Sequence, residues 1–223
     1  MTRDINSLLG FKIAASNGEL GEVKDFYFDD EKWVIRYLVV DTGIADRKVL
    51  IAPEAVESNF RLPGKFKVNL TIEQILNCPD IDTNLPVSRQ QREVLHKHHA
   101  WENYWESRFF GGGNATDVIA AETEETDEPG VMYDPHLRSA MEVSGYHIHA
   151  IGGKIGHVNN FIMDDDTWTL THFVIDTRNL IGGKKVVVSV EHVDAVQWYN
   201  QEVFLDISPE AVEDSPEYHK IEA

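Results

Sequence analysis

The chain's 223 residues include 38 acidic and 20 basic side chains, for a formal net charge of −18, a balance that repels nucleic-acid backbones and anionic lipid alike. Apolar residues at 42% and charged residues at 26% fit a soluble globular protein, and no apolar run reaches the length of a membrane span. The single cysteine, Cys78, excludes an internal disulfide framework and a thiolate-rich zinc site. No long apolar stretch follows Arg3, so a cytoplasmic location is expected rather than a secreted one.

In chain order, Phe11–Ser16 and Leu20–Asp30 flank Asn17-Gly18. Asn-Gly takes positive φ readily, which predicts two strands joined by a tight turn. Gly21 falls inside the second strand pattern, where glycine marks a bulge or bend. Asp29-Asp30-Glu31 predicts a solvated turn, since Asp favours turns. Trp33–Val40 is rich in β-branched and aromatic residues and predicts the next strand. It ends in Asp41-Thr42, polar side chains suited to bonding the backbone of the following loop. Lys48–Ile51 and Phe66–Leu70 predict short strands. Thr71 and Gln74 form a capping box that opens a short helix. Cys78 follows that helix and is expected to be structural, with no basic cluster beside it to activate the thiol.

Residues 81–140 differ in character. Ser88 to Phe110 predicts a helix with Val94, Trp101, Trp105 and Phe109 near one face and His98 on the same stripe. Such a stripe ordinarily packs against a core. The alternative is a docking or homodimer surface of exposed aromatics, with Trp101, Tyr104, Trp105 and Phe109 as its contacts. Gly111–Gly113 ends the helix. Residues 114–130 hold six acidic and no basic side chains, which predicts a flexible acidic segment.

The remaining part repeats the first. At a constant offset of 135, residues 10–42 align with 145–177 without a gap, and 13 of the 33 pairs are identical. They include Gly21/Gly156, Phe26/Phe161, Trp33/Trp168 and Asp41/Asp176. A two-residue insertion moves the offset to 137, after which Glu54, Glu73 and Pro79 match Glu191, Glu210 and Pro216. A repeat of this length is a duplicated small domain and not a short-period solenoid. The expected organisation is therefore one domain over 1–80, a linker over 81–140 with its aromatic helix at about 88–110 and acidic segment at about 114–130, and a second domain over 141–223. Lys184–Val190 and Val203–Ile207 predict strands of the second copy. Ser208 with Pro209 predicts a capped helix start.

The chemistry-bearing residues form no strong constellation. His147 and His149 alternate along a strand and share a face, with His157 nearby. They are the candidate metal ligands, without the HExxH spacing or a cysteine partner. Asp164-Asp165-Asp166 lacks the spacing of a calcium loop and predicts a solvated turn. The sequence has no GxSxG, P-loop or dinucleotide fingerprint. No catalytic residue and no cofactor is expected.

The string Gly18-Glu19-Leu20-Gly21-Glu22-Val23 … Phe26 … Asp29 … Tyr37-Leu38-Val39-Val40-Asp41 resembles the PRC-barrel family. Gly153-Lys154-Ile155-Gly156-His157-Val158 … Phe161 … Asp164 … Phe173-Val174-Ile175-Asp176 does too. The whole arrangement is similar to bacterial tandem PRC-barrel proteins of unassigned function. The resemblance implies a mainly β fold: two small, strongly bent β-barrels related by internal duplication and joined by a helical linker. It also implies a non-enzymatic interaction or adaptor role with a protein partner. The resemblance names two relatives, the cytoplasmic domain of the photosynthetic reaction-centre H subunit and the C-terminal domain of a ribosome-maturation factor; the first alone supplies an alternative, peripheral regulation of a membrane electron-transfer complex. A second alternative is metal or small-ligand binding by the second copy's histidines.

Overall fold

A computed structural model describes residues 1–57, 64–78, 136–177 and 183–221. The fold is mainly β. Its first half runs β1 (Thr2–Asp4), α1 (Ile5–Leu8), β2 (Lys12–Ala15), β3 (Gly18–Asp29), β4 (Val34–Asp41) and β5 (Lys48–Ile51). A 3-10 turn (Pro53–Ala55), β6 (Lys65–Lys67) and α2 (Ile72–Leu76) follow. The second half runs β7 (Leu137–Ser139), α3 (Ala140–Val143), β8 (His147–Ala150), β9 (Gly153–Asp164), β10 (Thr169–Asp176) and β11 (Lys185–Ser189). A 3-10 turn (Val190–His192), β12 (Val193–Gln197), β13 (Glu202–Leu205) and α4 (Pro209–Glu213) complete it. The element series of the first half thus recurs in the second.

Most local signals act as expected, but the turn between β2 and β3 falls one residue earlier than Asn17-Gly18: Ser16 and Asn17 form it, Asn17 is not at positive φ, and Gly18 already pairs with Ala15 in β3. Thr71 and Gln74 make the capping box of α2, and Ser208 caps α4 with Pro209 behind it. The register of β2 against β3 shifts between Lys12 and Ala14, opposite Gly21. Gly21 has φ +68, and a Cβ there would sit 2.1 Å from the Asp41 carbonyl oxygen. At Gly156 the same atom would sit 2.1 Å from the Asp176 carbonyl oxygen. Asp41 accepts from the Gly43 amide at 2.9 Å, and Thr42 donates to the Arg47 carbonyl at 2.9 Å, as Thr177 does to Lys184 at 2.7 Å.

The strand pairing differs from two separate barrels. All thirteen strands belong to one sheet, with the path β12-β13-β8-β9-β10-β4-β3-β2-β6, and that path does not close. The halves exchange their first strands. β1 pairs with β9 of the second half, and β7 pairs with β3 of the first. Between them β4 and β10 meet at Val34 and Thr169. Trp33 and Trp168 both stand in the left-handed region, at φ 55 and 58. Their carbonyls accept across the seam, from the amides of Leu170 at 2.6 Å and Ile35 at 2.8 Å respectively. A bulky residue at positive φ is strained; here the strain aims a carbonyl at the other half.

The seam's polar contacts repeat with the same two-fold logic. Asp30 is ion-paired with Arg138 at 2.7 Å and meets His136 at 3.0 Å. At the matching place Asp165 accepts from Arg3 at 2.7 Å and from the Met1 amino group at 2.6 Å. The backbone amides of Asp30 and Asp165 donate to the carbonyls of His136 and Met1, each at 2.8 Å. The expected solvated turns are therefore corrected in part: Asp29, Asp30 and Asp165 are engaged in ion pairs, and Asp29, bonded to Arg36, is buried. Apolar packing follows the same line. Phe28 lies 5.4 Å from Phe161, Trp33 lies 5.4 Å from Phe173, and Phe66 lies 6.2 Å from Trp168. One buried cluster runs from Ile5 to Val212 through both halves.

The seam also holds a titratable group. Asp25 accepts hydrogen bonds from Ser139 Oγ and from the Met141 amide at 3.0 Å. Its counterpart Asn160 donates instead to Asp4. Burial pushes Asp25 up to about 6, with the Glu142 carboxylate adding to the effect and the hydrogen bonds opposing it. The folded state therefore keeps a proton between about pH 4 and 6 that the unfolded chain releases, so this group's contribution to stability falls as pH rises through that window. Asp25→Asn should remove that component. The wild-type minus variant unfolding free energy should fall by up to about 1.4 kcal/mol per pH unit there, as urea titrations at stepped pH would measure.

Candidate functional site

The described residues form a solvent-facing cleft of about 300 Å³ in the second half. β10 contributes His172 to it and β11 contributes Val187, Val188 and Ser189. His192 of the 3-10 turn, Ile207, Ala211 of α4, Ser215 and Pro216 complete the lining. The segment after α4 is fixed in place by strand-like bonds to β11, from the Val187 amide to the Pro216 carbonyl at 2.9 Å and from the Tyr218 amide to the Lys185 carbonyl at 2.8 Å. Tyr218 Oη reaches on to Asp4 at the seam.

The lining is partly aliphatic and partly polar. His172 Nδ1 lies 3.0 Å from Thr171 Oγ1, and burial holds its imidazole below the ordinary histidine range. His192 Nδ1 lies 3.0 Å from Asp206 Oδ1. Ser189 Oγ accepts from the Glu191 amide at 3.3 Å, and Ser215 Oγ donates to the Ala211 carbonyl at 2.9 Å. Both hydroxyls serve the local backbone. Covalent catalysis wants a hydroxyl held by a base, so the arrangement suits binding better. A space of this size takes one or two side chains and lies at the small end of ligand pockets.

Comparison of the two copies shows how the cleft arises. At the equivalent positions the first copy has Tyr37 for His172, Leu50 for Val187 and Gln74 for Ala211, where the second copy is smaller, and Ala52 for Ser189 and Ala55 for His192, where the second copy is larger and more polar. Its rim also becomes more acidic: Asn69 and Asn77 are replaced by Asp206 and Asp214, beside Glu191 and Glu210, which match Glu54 and Glu73. Sequence reasoning missed His172 and His192 because neither stands in a ligand-like spacing with another histidine; the signal that finds them is the replacement of Tyr37 and Ala55 by histidine in the second copy.

The sequence-derived candidates fall elsewhere. His147 and His157 are paired across β8 and β9. His149 bonds Glu202 at 3.0 Å and stacks on Phe204 at 4.9 Å. Glu202 also holds Lys154 at 3.1 Å, and its carboxyl lies below the usual range because of Lys154 and His149. The three histidines are thus near one another in the sheet, with His149 already committed to a carboxylate and a ring. Among the described residues, the acidic or imidazole groups close enough to share an ion are Asp164, Asp165 and Asp166. These carboxylates meet the Met1 amino group, and Asp165 also meets Arg3. Cys78 is buried, and burial raises its thiol to about 11, which fits a packing role. Trp101, Tyr104, Trp105 and Phe109, with the helix at 88–110 and the acidic segment at 114–130, lie outside the described residues. Among the described residues no helix is long and apolar enough to cross a membrane.

No curated protein matches the chain. A family model does match its N-terminal part, over residues 2–60, and the description of that family is PRC-barrel domain. The match takes in β1 through β5 and the first 3-10 turn, the strands whose glycine bend at Gly21 and closing Asp41-Thr42 pair define the first copy. Residues 2–60 of this chain are a PRC-barrel domain.

Proposed function

We propose that the chain is a non-enzymatic protein-interaction module made of two PRC-type repeats, of which the second, over residues 141–223, carries the recognition surface. The observation that supports this reading is the divergence of the copies at one place. Bend glycines, the tryptophans at positive φ and the strand-end Asp-Thr pairs are common to both halves and serve the fold. The cleft side chains differ between the copies, and a surface free of folding duty is where a binding role can diverge. A cytoplasmic protein partner is the reading in keeping with the acidic surface, which disfavours nucleic acid.

A photo-crosslinking residue placed at position 211, and separately at the equivalent position 74, tests this in cells. The expected result is a reproducible adduct with one protein from position 211 and none from position 74. Absence of any protein adduct from position 211 across replicate cultures would overturn the reading.

A further inference from the structure

We infer that the His172/His192 cleft docks an extended segment of a partner protein in which an apolar side chain is flanked by lysine or arginine. The inference rests on the interaction reading above and adds the chemistry of what is bound. Three observations lead to it. First, Val187 of β11, with Ile207 and Pro216, gives the cleft an aliphatic part beside His172 and Ser189, and an apolar side chain seated there leaves water. Second, the space of about 300 Å³ fits one large side chain and not a dinucleotide or other extended cofactor.

Third, charge complementarity selects the flanks. Glu191, Asp206, Glu210 and Asp214 each adjoin a lining residue in sequence, and all four are exposed. Two of them are aspartates where the first copy has asparagine. The positive groups on the neighbouring element are Lys184 and Lys185 at the start of β11, two or more residues away from the lining Val187. Residues 131–223 hold 15 acidic and 6 basic side chains, so the wider field attracts a basic segment and repels an acidic one. Exposed carboxylates next in sequence to the lining, of which Asp206 also holds His192, match a cationic segment with a central aliphatic residue. His192 lies against Asp206 and His172 beside Thr171, and both line the cleft.

The test uses the full chain, isotope-labelled, titrated with a capped pentapeptide of two arginines, a leucine and two lysines. A matched peptide carries glutamates in place of the basic residues. The expected result is saturable shifts of the Val187, Ile207 and Ala211 methyl signals with the basic peptide and none with the acidic one. Glu210→Gln with Asp214→Asn should weaken binding by about tenfold, the sum expected of two exposed ion pairs. Ala211→Gln, which restores the first copy's residue at an exposed helix position, should weaken it by at least about tenfold through loss of the slot. Equal binding of both peptides, shifts elsewhere on the molecule, or unchanged affinity in Ala211→Gln would each overturn the inference. Failure of the basic peptide alongside a position-211 adduct in cells would refute the segment chemistry and leave the interaction module standing.

Discussion

Phe161→Ala should destabilise the protein by about 3–5 kcal/mol, and the loss should be felt in both halves at once. Phe161 is fully buried and lies 4.9 Å from Phe173 of its own half and 5.4 Å from Phe28 of the other. Its removal leaves a cavity where β3, β9 and β10 share side chains. A cavity on a shared core lowers the stability of everything that depends on that core. Equilibrium unfolding in urea, followed by tryptophan fluorescence and by far-UV circular dichroism, should show one transition moved to lower denaturant. The second copy's Trp168 and the first copy's Trp33 both border this core, so fluorescence reports both halves.

The second large effect concerns the bend glycines. Gly21→Ala places a methyl group 2.1 Å from the Asp41 carbonyl oxygen and 2.9 Å from Thr42 Cα, at φ +68. The obstacle is backbone, so no side chain can move aside. Gly10, also at positive φ, has open space where its Cβ would go. Gly10→Ala should therefore cost only the left-handed penalty, about 1–2 kcal/mol. Gly21→Ala adds a backbone clash to that penalty and should exceed 3 kcal/mol, among the large single-site effects. Gly156→Ala should behave like Gly21→Ala, since its Cβ would meet the Asp176 carbonyl in the same way. Thermal and urea midpoints of the three variants check the ranking, and equal losses at positions 10 and 21 would contradict it.

Much of the local structure was legible in the residues because its causes are local. The capping box at Thr71 and Gln74, the Ser208-Pro209 helix start and the strand after Trp33 follow from rules that act within a few residues. The bend at Gly21 was visible because glycine recurs at Gly156 inside a strand pattern. The exchange of first strands was not legible. Residues 1–9 and 136–144 play equivalent roles, yet they share little more than Arg3/Arg138. The caps Asp4 and Ser139 do one job with different side chains. A strand of three residues that pairs with the other half also leaves no period of its own. The acidic turns were misjudged for a related reason. Asp30 and Asp165 look solvated in sequence, and only the exchanged strands bring Arg138 and Arg3 to them.

The candidate site was the least legible part. Ten histidines drew attention to His147, His149 and His157 through their spacing, but spacing on a strand fixes a face and says nothing of what covers it. Glu202 and Phe204 cover His149. The cleft instead gathers residues from β10, β11, a 3-10 turn and α4, separated by up to 44 positions from His172 to Pro216. Only the comparison of copies makes it visible from sequence, through Tyr37/His172, Leu50/Val187 and Gln74/Ala211.

The two halves form one interlocked body around a shared core. Native-state hydrogen exchange on the full chain tests this directly, because amides of the deepest strands report the opening of whichever unit contains them. The amides of Leu38 in β4 and Phe173 in β10 should exchange with the same opening free energy and the same denaturant dependence, equal to those of global unfolding. Two distinct opening free energies, with one half exchanging while the other stays protected, would contradict the claim.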